Sequence, residues 1–337
     1  MRVLVSGANG FLAGHVIHRL VKEGYLVRGM MRGGARAPAL EGLEIEVFRG
    51  DITRNEQICQ AVEGCDMIIH IAADTRQSGR HWRDYEVVNI QATRQLLEAG
   101  AGAGVKRFVY VSTANTMGYG SAVHPGTEDL PPDKVFMRSG YAHSKWLAEQ
   151  QVQSFSKHPV MKTLVVNPGF MIGPMDHRAG SGKIFSMIEH RRIVFYPPGG
   201  KSFVDVRDVA QATVNALKLG ESGSRYLLSG TNMSYRDFFG LTNSLSGGSR
   251  ILLPLPAWTL YLAGMAGSLI SSMGFRCSLH LNNAKILCLR NFYDHSKAVR
   301  ELSMPVTDIR KTIQDALAWR KPRENYLPSF MNRMVIP

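Results

Sequence analysis

The stretch RVLVSGANGFLAG, residues 2–14, joins a short apolar run to a helical pattern through closely spaced small residues. Arg2–Ser6 is typical of a β-strand, and residues 11–23 have the apolar spacing of an amphipathic helix. Gly7 permits a tight turn after the strand, Gly10 lets the backbone approach a pyrophosphate, and Ala13 allows close helix–strand packing. The N–H groups and positive dipole end of the helix then favour phosphate. The stretch therefore predicts a dinucleotide-binding turn.

The alternation of β-rich runs and helical patterns continues to about residue 170. The runs are rich in Val and Ile and almost wholly apolar, as a parallel sheet covered on both faces requires. Further strands are predicted at Tyr25–Arg32, Leu43–Arg49, Asp66–Ala73, Arg107–Thr113 and Lys162–Asn167, with helices at 54–63, 84–100 and 139–156. This order predicts a doubly wound α/β fold with a Rossmann-type sheet, whose ligand lies beyond the carboxyl ends of the strands.

The rhythm loosens after residue 169, which predicts a second unit. A strand running into a helix is expected over Phe203–Leu219, and another strand over Tyr226–Ser229. The chain has 337 residues, enough for two domains. We predict a dinucleotide-binding domain over 1–168, completed by about 203–229, and a smaller, mainly helical substrate lobe over 169–202 and 230–337.

Composition excludes several classes of protein. With 45% hydrophobic and 20% charged residues, the chain is neither disordered nor collagen-like nor a small disulfide scaffold. Its four cysteines form no Cys-x-x-Cys pair, which favours a reducing, cytoplasmic setting in which they are small buried residues. Because a strand-like run follows Met1 directly, we expect no signal peptide. No spacing of His, Cys and acidic residues predicts a metal site, and the histidines are interpreted as structural or surface residues.

The charge of +13 is unevenly distributed along the chain. Residues 1–150 hold 17 basic and 16 acidic residues, whereas residues 151–337 hold 23 and 11, a surplus of 12. The surplus favours an anionic partner, such as a phosphorylated substrate, an acidic membrane surface or nucleic acid. An inert, solvated basic face is the alternative.

An uncharged stretch of 25 residues, 251–275, lies between Arg250 and Arg276. It is long enough to span a bilayer, but Pro254 and Pro256 interrupt its start. We favour a buried or pocket-lining helix. Peripheral contact with a membrane interface and a true membrane span are the two alternatives.

The end of the second predicted strand indicates the choice of dinucleotide. An acidic residue there would hold both ribose hydroxyls of NAD, but the chain reads RGMMRGGAR over 28–36. A guanidinium suits a 2′-phosphate by its charge and its fork geometry. We therefore favour NADP over NAD, with Arg32 as the first candidate and Arg36 as the second. Asp51 follows the third strand, where it either accepts a hydrogen bond from the adenine amino group or is a helix cap that precedes Thr53.

Four residues form a candidate catalytic group. Tyr141 and Lys145 are four positions apart on a predicted helix and share one face. A nearby ammonium lowers the pKa of a phenol, which suits proton exchange with a hydroxyl or carbonyl. Ser112 and Thr113 end the fifth strand, so that their hydroxyls point into the same crevice and can bind a substrate oxygen.

These motifs, with His70–Ala73, Asn89, Asn167–Gly169 and Phe203–Ala210, resemble the extended short-chain dehydrogenases/reductases in order and spacing over most of the chain. Within that family the chain is most similar to the dihydroflavonol 4-reductase and 3β-hydroxysteroid dehydrogenase types. The resemblance implies that Tyr141 is the general acid/base and that Lys145 holds the nicotinamide ribose and tunes Tyr141. It implies that Thr113 binds the reacting oxygen, with Ser112 beside it, and that Asn89 is structural.

The resemblance also implies binding residues and a dimer. The implied dinucleotide contacts are Gly7, Asn9, Gly10, Phe11, Leu12, Arg32, Arg36, Asp51, Ile52, Ala72, Ala73, Lys145 and Pro168. The candidate substrate contacts are Asp74, Met117, Phe170, Met171, Tyr196 and Phe203. Family members dimerise through the helices that correspond to 84–100 and 139–156, and we expect a homodimer here.

The residues favour one reaction and leave others open. The apolar candidates around the pocket favour NADPH-linked reduction of a hydrophobic ketone or aldehyde, or the reverse oxidation. Ala114-Asn115 stands where sugar dehydratases carry Asp-Glu, which disfavours dehydration. A nucleotide-sugar epimerase with retained NAD is an alternative, although Arg290 and Lys297 are only loose candidates for its diphosphate clamp. A non-catalytic dinucleotide- or RNA-binding protein is a further alternative.

Overall fold

A computed structural model describes residues 1–76, 81–177, 180–189, 191–273, 277 and 279–320. The strands are β1 Arg2–Ser6, β2 Leu26–Met31, β3 Glu46–Arg49, β4 Met67–His70, β5 Arg107–Val111, β6 Lys162–Pro168, β7 Phe170–Ile172, β8 Ile193–Tyr196, β9 Gly200–Asp205, β10 Arg225–Leu228, β11 Thr231–Ser234, β12 Ile251–Pro254 and β13 Arg290–Asn291. The helices are α1 Phe11–Lys22, α2 Asn55–Val62, α3 Trp82–Tyr85, α4 Ala92–Gly102, α5 Lys134–Met137, α6 Gly140–Ser154, α7 Lys183–Glu189, α8 Val206–Asn215, α9 Tyr235–Leu245, α10 Ala257–Ser272, α11 Leu281–Cys288, α12 Ser296–Leu302 and α13 Ile309–Arg320.

The central sheet has seven parallel strands in the order β10-β6-β5-β4-β1-β2-β3. From β1 the chain builds outward to β2 and β3 on one side and to β4, β5 and β6 on the other. The connections therefore diverge between β1 and β4, and a crevice opens beyond the carboxyl ends of these two strands. The predicted doubly wound Rossmann-type fold is confirmed.

Both faces of this sheet are covered, which explains the unbroken apolar runs. Every residue of β4 and β5 is buried. On one face α1 and α8 pack over the sheet through residues such as Val16 and Val209. On the other face α2, α4 and α6 pack through residues such as Leu96 and Val152. Each such side chain contributes about 1.5–3 kcal/mol through its removal from water.

The second lobe is built on a smaller sheet, in which β9 lies between β11 and β13 and also pairs with β7. Its core contains Phe203 stacked on Phe238, with ring centroids 4.1 Å apart. A parallel two-stranded ribbon, β8 with β12, lies beside it. β10 completes the edge of the large sheet beside β6, whereas β9 belongs to the smaller one. The domain boundaries at 168, 203 and 229 stay predictions.

Residues 251–275 differ from the favoured prediction of a buried or pocket-lining helix, which is wrong. Their described part forms β12 and α10, and α10 buries Leu260, Gly264 and Gly267 while it leaves Trp258 and Leu269 63% and 65% exposed. Although α10 is apolar on every side, only this narrow stripe of it is buried. Within the described ranges, no helix combines the length and the apolar character needed to cross a membrane.

The cysteines also need a partial correction. All four thiols are free, and Cys65 is buried as predicted. Cys59, however, is exposed on α2, while Cys277 and Cys288 are half-buried. The prediction of four small buried residues is therefore wrong for Cys59, because its position falls on the outer face of α2.

Candidate active site

The turn between β1 and α1 requires glycine at its first position. Gly7 has a φ of +70°, and a Cβ placed on it would lie 2.9 Å from the Cα of Ala72. The backbone N–H of Gly10 donates to the carbonyl of Gly7 over 2.8 Å, which closes the turn. Any side chain at Gly7 would thus combine a strained conformation with a collision against the backbone that follows β4.

The amino end of α1 has the features of a diphosphate site. Its N-cap residue is Gly10, which has no side chain to cap the helix, and the first turn holds no acidic residue. Asn9, Gly10 and Phe11 line a cavity of about 270 Å³ together with Arg36. Uncapped N–H groups, a positive helix end and a guanidinium suit the diphosphate of a dinucleotide. Leu12 is buried behind this turn and packs into the core.

The two candidate arginines occupy different places. Arg36 lines the cavity at the amino end of α1, whereas Arg32 is exposed directly after β2. Arg32 lies close enough to Asp51 for its charge to lower the pKa of that carboxyl. The hydrogen bond from the Thr53 N–H lowers this pKa more. The structure thus gives Arg36, the second candidate, the closer relation to the phosphate turn.

Asp51 forms the turn that follows β3. Its Oδ1 accepts hydrogen bonds from the backbone N–H and the hydroxyl of Thr53, each over 2.9 Å. Ile52 between them is buried. Asp51 thus caps this turn and not a helix, because α2 begins only at Asn55 with Arg54 as its N-cap residue, so the helix-cap alternative is wrong. The contact of Asp51 with adenine stays a prediction.

A buried network fixes the end of β4 beside the phosphate turn. The Ser6 hydroxyl accepts hydrogen bonds from the N–H groups of Ile71 and Ala72, over 3.0 and 3.1 Å, and pairs with Nδ1 of His70 over 2.7 Å. Nε2 of His70 lies 2.9 Å from the Thr93 hydroxyl. Burial lowers the pKa of His70 to about 3, so the ring stays neutral. The network holds the backbone near Ala72 and Ala73 against the turn.

His70 makes the stability of the fold depend on pH. Below pH 6.5 the unfolded chain binds a proton at this residue and the native protein does not, so stability falls with pH until about pH 3. The loss from this residue at pH 5 is about 2 kcal/mol. In urea unfolding at pH 7 and pH 5, His70→Gln should be less stable than wild type at pH 7 but lose less stability on acidification.

The matched control for this measurement is His124→Gln, at an exposed position in a loop. It should keep the full wild-type loss between pH 7 and pH 5. An equal loss in wild type and His70→Gln would show that His70 does not carry the effect.

Tyr141 and Thr113 meet at the carboxyl end of β5. Tyr141 lies in the first turn of α6, and its phenol is close enough to the side chain of Thr113 for this neighbour to offset part of the effect of burial on its pKa. Thr113 is half-buried and lines a cavity of about 420 Å³. The structure thus brings the two proposed proton-exchange groups together where a substrate oxygen can reach them. Ser112, next to Thr113, is buried near Glu149, away from this cavity.

Lys145 and Tyr141 do not follow the predicted electrostatics. Nζ of Lys145 donates to the carbonyl of Val111 over 2.7 Å and lies 4.1 Å from the ring centroid of Tyr110. Burial lowers the pKa of Lys145 to about 7 and raises that of Tyr141 to about 12. The prediction of a lowered Tyr141 pKa is wrong for the protein alone, because burial outweighs the influence of a lysine that is directed at a backbone carbonyl.

Glu149 is a buried acid that sequence reasoning did not assign to the site. It lies on α6 with Lys145, and both side chains are buried. Oε1 of Glu149 accepts from the Thr116 hydroxyl over 2.5 Å and from the Asn167 amide over 2.7 Å. Burial raises its pKa. Its position four residues after Lys145, on the same helix face, was the available signal.

Asn89 links the β4 end to the catalytic helix. Its Oδ1 accepts from the N–H of Asp74 over 2.7 Å, and its Nδ2 donates to the Ser144 hydroxyl over 2.9 Å. Asn89 lies in a π-helical segment, Glu86–Gln91, a deviation that occurs often near functional sites. Asp74 is itself paired with Arg76. Asp74, a predicted substrate contact, is thus bonded to Asn89 and Arg76 within the protein.

The cavity beside Thr113 is amphipathic. Pro168, at the end of β6, and Phe170 line it, as do apolar residues of α11. Phe170 thereby has a position that fits its predicted contact with substrate. Met117 and Phe203 do not, because both are fully buried in packing clusters. Met171 is partly buried against the core of the large sheet, and Tyr196 is partly buried against the core of the second lobe.

Lys201 is the main cavity residue that sequence reasoning missed. It lies on β9 and lines the cavity with Asn115 and Asn291, and burial lowers its pKa to about 8. A lysine two positions before the apolar pair Phe203-Val204 of β9 was the signal. The predicted clamp residues lie elsewhere: Lys297 donates to the Arg225 carbonyl, and Arg290 is exposed on β13.

The two histidines of α1 lie within hydrogen-bond distance of nearby backbone carbonyls. Nε2 of His15 lies 3.0 Å from the Pro174 carbonyl, and Nε2 of His18 lies 2.7 Å from the Ala39 carbonyl. In the part of the chain that the structure covers, no three His, Cys, Asp or Glu side chains converge in a way that would hold a metal ion.

The chain resembles known proteins in both sequence and structure. The NAD dependent epimerase/dehydratase family matches residues 3–229. The chain is 27% identical to a putative dihydroflavonol 4-reductase of Synechocystis, over 94% of this chain and 93% of that one. It is 28% identical to sterol demethylase protein B of Methylococcus capsulatus, over 96% and 99% of the two chains. The crystal structure of gox2253 superposes with a TM-score of 0.82 at 25% identity, over 95% of this chain and 98% of that one.

Proposed function

Because the chain belongs to the NAD dependent epimerase/dehydratase family and is an NAD(P)-dependent oxidoreductase, we propose that it reduces the carbonyl of an apolar ketone or aldehyde with NADPH. The resemblance to the extended short-chain dehydrogenases/reductases is thereby confirmed. One observation carries the proposal: the Tyr141 phenol is close to the Thr113 side chain, which lines a cavity with apolar walls.

The residues at hand fit a bound dinucleotide. The turn at Gly7 and Gly10 would hold its diphosphate, and Arg36 and Arg32 its 2′-phosphate. Lys145 would hold the nicotinamide ribose, as the family resemblance implies. When bound, the dinucleotide supplies the hydride for reduction, or accepts it in the reverse direction.

The protein's own part is to orient the carbonyl and deliver a proton. The substrate oxygen would lie between the Thr113 hydroxyl and the Tyr141 phenol, and Tyr141 would donate its proton as the hydride reaches the carbon. With its pKa raised to about 12, the phenol is protonated at neutral pH, which is the form that donates.

The walls of the cavity support an apolar substrate. Phe136, Phe170 and Ile286 face it, while polar groups concentrate near Thr113 and Lys201. Such a pocket buries the body of a hydrophobic ketone and leaves its oxygen among hydrogen-bonding groups. The names of two relatives, a sterol demethylase protein and a dihydroflavonol reductase, agree with ring-bearing substrates. The test is NADPH consumption with a panel of hydrophobic ketones and aldehydes. The absence of turnover with every member would contradict the proposal.

Loss of the two arginines should reverse the cofactor preference. The double variant Arg32→Ser/Arg36→Ser is expected to weaken NADPH binding about tenfold to a hundredfold, because charge-assisted hydrogen bonds contribute about 1.5–3 kcal/mol. NADH binding should weaken less, because NADH lacks the 2′-phosphate and loses only what Arg36 contributes beside the diphosphate turn. Fluorescence titration of the purified, dinucleotide-free protein measures both constants.

Arg94→Ser, at an exposed arginine of α4 remote from the turn, is the control and should change neither constant. Equal weakening of NADPH and NADH in the double variant would show that the arginines do not recognise the 2′-phosphate.

A second candidate is a nucleotide-sugar epimerase with retained NAD, and Lys201 favours it. A cationic side chain deep in the substrate cavity suits a diphosphate-linked substrate. The two candidates differ in what the purified protein carries. Stoichiometric NAD released on denaturation would favour the epimerase, whereas an empty protein that prefers NADPH would favour the reductase.

We also propose a cytoplasmic homodimer formed through the helices over 84–100 and 139–156. In one chain α4 and α6 pack side by side, as a paired interface would need. Sedimentation equilibrium of the full chain tests this, and a monomer at micromolar concentration would contradict it.

A further inference from the structure

The second lobe carries an apolar surface that the proposed reaction does not use. Within α10, all of which the structure describes, the buried stripe is Leu260, Gly264 and Gly267, which packs on α11. A Cβ on Gly264 would lie 2.9 Å from the Cβ of Ala284, so this seam is tightly closed. The opposite face presents Trp258, Leu262, Leu269 and their apolar neighbours to solvent. A helix that is apolar on all sides normally lies in a protein core or a membrane.

The ribbon that leads into α10 extends this surface. β12 pairs with β8 in parallel, with Ile251 opposite Ile193 and Leu253 opposite Phe195. All four side chains are exposed, while Val194 between the two β8 residues is buried. One face of the ribbon is therefore apolar and open. β12 reaches α10 through Leu255 and Pro256 alone, so the two apolar areas adjoin. We call them together the apolar surface.

The charges around this surface are mainly basic. No Asp or Glu occurs between Asp237 and Asp294, a range that includes β12, α10 and α11. Arg191 and Arg192 precede β8 and are exposed, and Arg250 precedes β12. The N–H of Ile251 donates to the Arg192 carbonyl over 3.0 Å, which brings the three arginines to the same end of the ribbon. Glu189, the acid that precedes these arginines, is paired with Arg320. An apolar face with a basic edge matches anionic phospholipid headgroups over acyl chains.

We propose that the apolar surface docks the protein onto an anionic phospholipid bilayer, with α10 lying in the plane of the interface. Sixteen residues of α-helix extend about 24 Å, less than the hydrocarbon core of a bilayer, so α10 fits along the surface and not across it. Trp258 at one end of the helix suits the headgroup region, where tryptophan is enriched. This inference goes beyond the proposed reaction and does not depend on it.

The position of α11 gives docking a consequence for the substrate. α11 contacts α10 on one side and, through Ile286 and Leu287, lines the cavity on another. A docked protein would hold its cavity one helix away from the acyl chains, where an apolar ketone dissolves. This consequence, unlike docking itself, rests on the proposed function.

Vesicle co-sedimentation of the full chain tests docking. Wild type should pellet with phosphatidylcholine vesicles that contain about one-third phosphatidylglycerol, and less with phosphatidylcholine alone. Leu262→Ser/Leu269→Ser should lower the partition coefficient at least tenfold, since two exposed leucines would no longer leave water for the acyl chains. Leu219→Ser is the matched control, because Leu219 is 54% exposed and Leu262 53%, but Leu219 lies after α8. It should pellet as wild type does.

A second readout covers the arginines and the helix itself. Arg191→Gln/Arg192→Gln should remove most of the preference for phosphatidylglycerol. Tryptophan emission should shift to the blue with vesicles in wild type and shift far less in Trp258→Phe, which keeps the surface apolar. NADPH titration and circular dichroism of each variant establish that it is folded.

The outcomes separate the occupants of the surface. Wild-type protein that ignores both vesicles overturns the proposal. So does a leucine double variant that binds vesicles as wild type does. A double variant that loses only self-association in sedimentation would assign the surface to a second copy of the chain, which also overturns docking. Failure of every ketone in the turnover assay contradicts the reductase and leaves the vesicle result unaffected.

Discussion

Tyr141→Phe should lower kcat for carbonyl reduction by at least about a thousandfold while NADPH binding stays within about threefold of wild type. The substitution removes one oxygen and keeps the ring, so the packing of α6 over Thr113 is preserved. The missing hydroxyl is the group placed to protonate the carbonyl oxygen, and Thr113 alone can only stabilise the developing charge. Single-turnover measurements with saturating NADPH separate the chemical step from binding.

Tyr226→Phe is the control for this experiment. Tyr226 is a fully buried tyrosine on β10 whose oxygen accepts a hydrogen bond from the Glu221 N–H, remote from the cavity beside Thr113. Its loss should cost about 1 kcal/mol of stability and leave kcat unchanged. Undiminished turnover in Tyr141→Phe would refute the proposed mechanism, and equal losses in both variants would indicate general destabilisation.

The sequence was sufficient for the large sheet because its signals are local. β1 to β6 are apolar runs separated by helical patterns, and the spacing of Gly7 and Gly10 depends on a single turn. The short strands of the second lobe gave no such signal. β13 has two residues and β7 three, fewer than any periodic pattern needs.

The site was predictable where a motif fixes a residue near its own strand end, and less so elsewhere. Thr113 follows the end of β5, and Tyr141 lies in the first turn of α6. The order of these two elements therefore predicts that the two residues lie close together. Met117 and Phe203 are apolar neighbours of motif residues, and nothing in the sequence distinguishes a pocket wall from a core. Lys201 enters the cavity only through the pairing of β9 in the smaller sheet.

The error over 251–275 has a physical cause. An uncharged stretch predicts removal from water, but it does not say what provides the apolar environment. The buried stripe of α10 consists of Gly264, Gly267 and one leucine, which packs closely on α11 and covers little area. The rest of the helix is left for a partner outside the chain.

Gly7→Ala should weaken NADPH binding at least about a hundredfold and lower the melting temperature by several degrees. A residue with a Cβ pays about 1–2 kcal/mol to adopt a positive φ. At Gly7 the same Cβ would also lie 2.9 Å from the Cα of Ala72, and backbone cannot move aside as a flexible side chain can. The turn must then shift, and the N–H groups at the start of α1 move away from the diphosphate.

Gly24→Ala separates the two causes, because Gly24 has a φ of +78° and nothing within 4 Å of an added Cβ. It should show the conformational penalty alone, with a smaller fall in melting temperature and unchanged NADPH binding. The difference in melting temperature between the two variants measures the destabilisation caused by the contact with Ala72. Normal NADPH affinity in Gly7→Ala would mean that the turn tolerates displacement. Phosphate recognition would then have to rest on Arg36 and the helix end more than on the exact path of the backbone at Gly7.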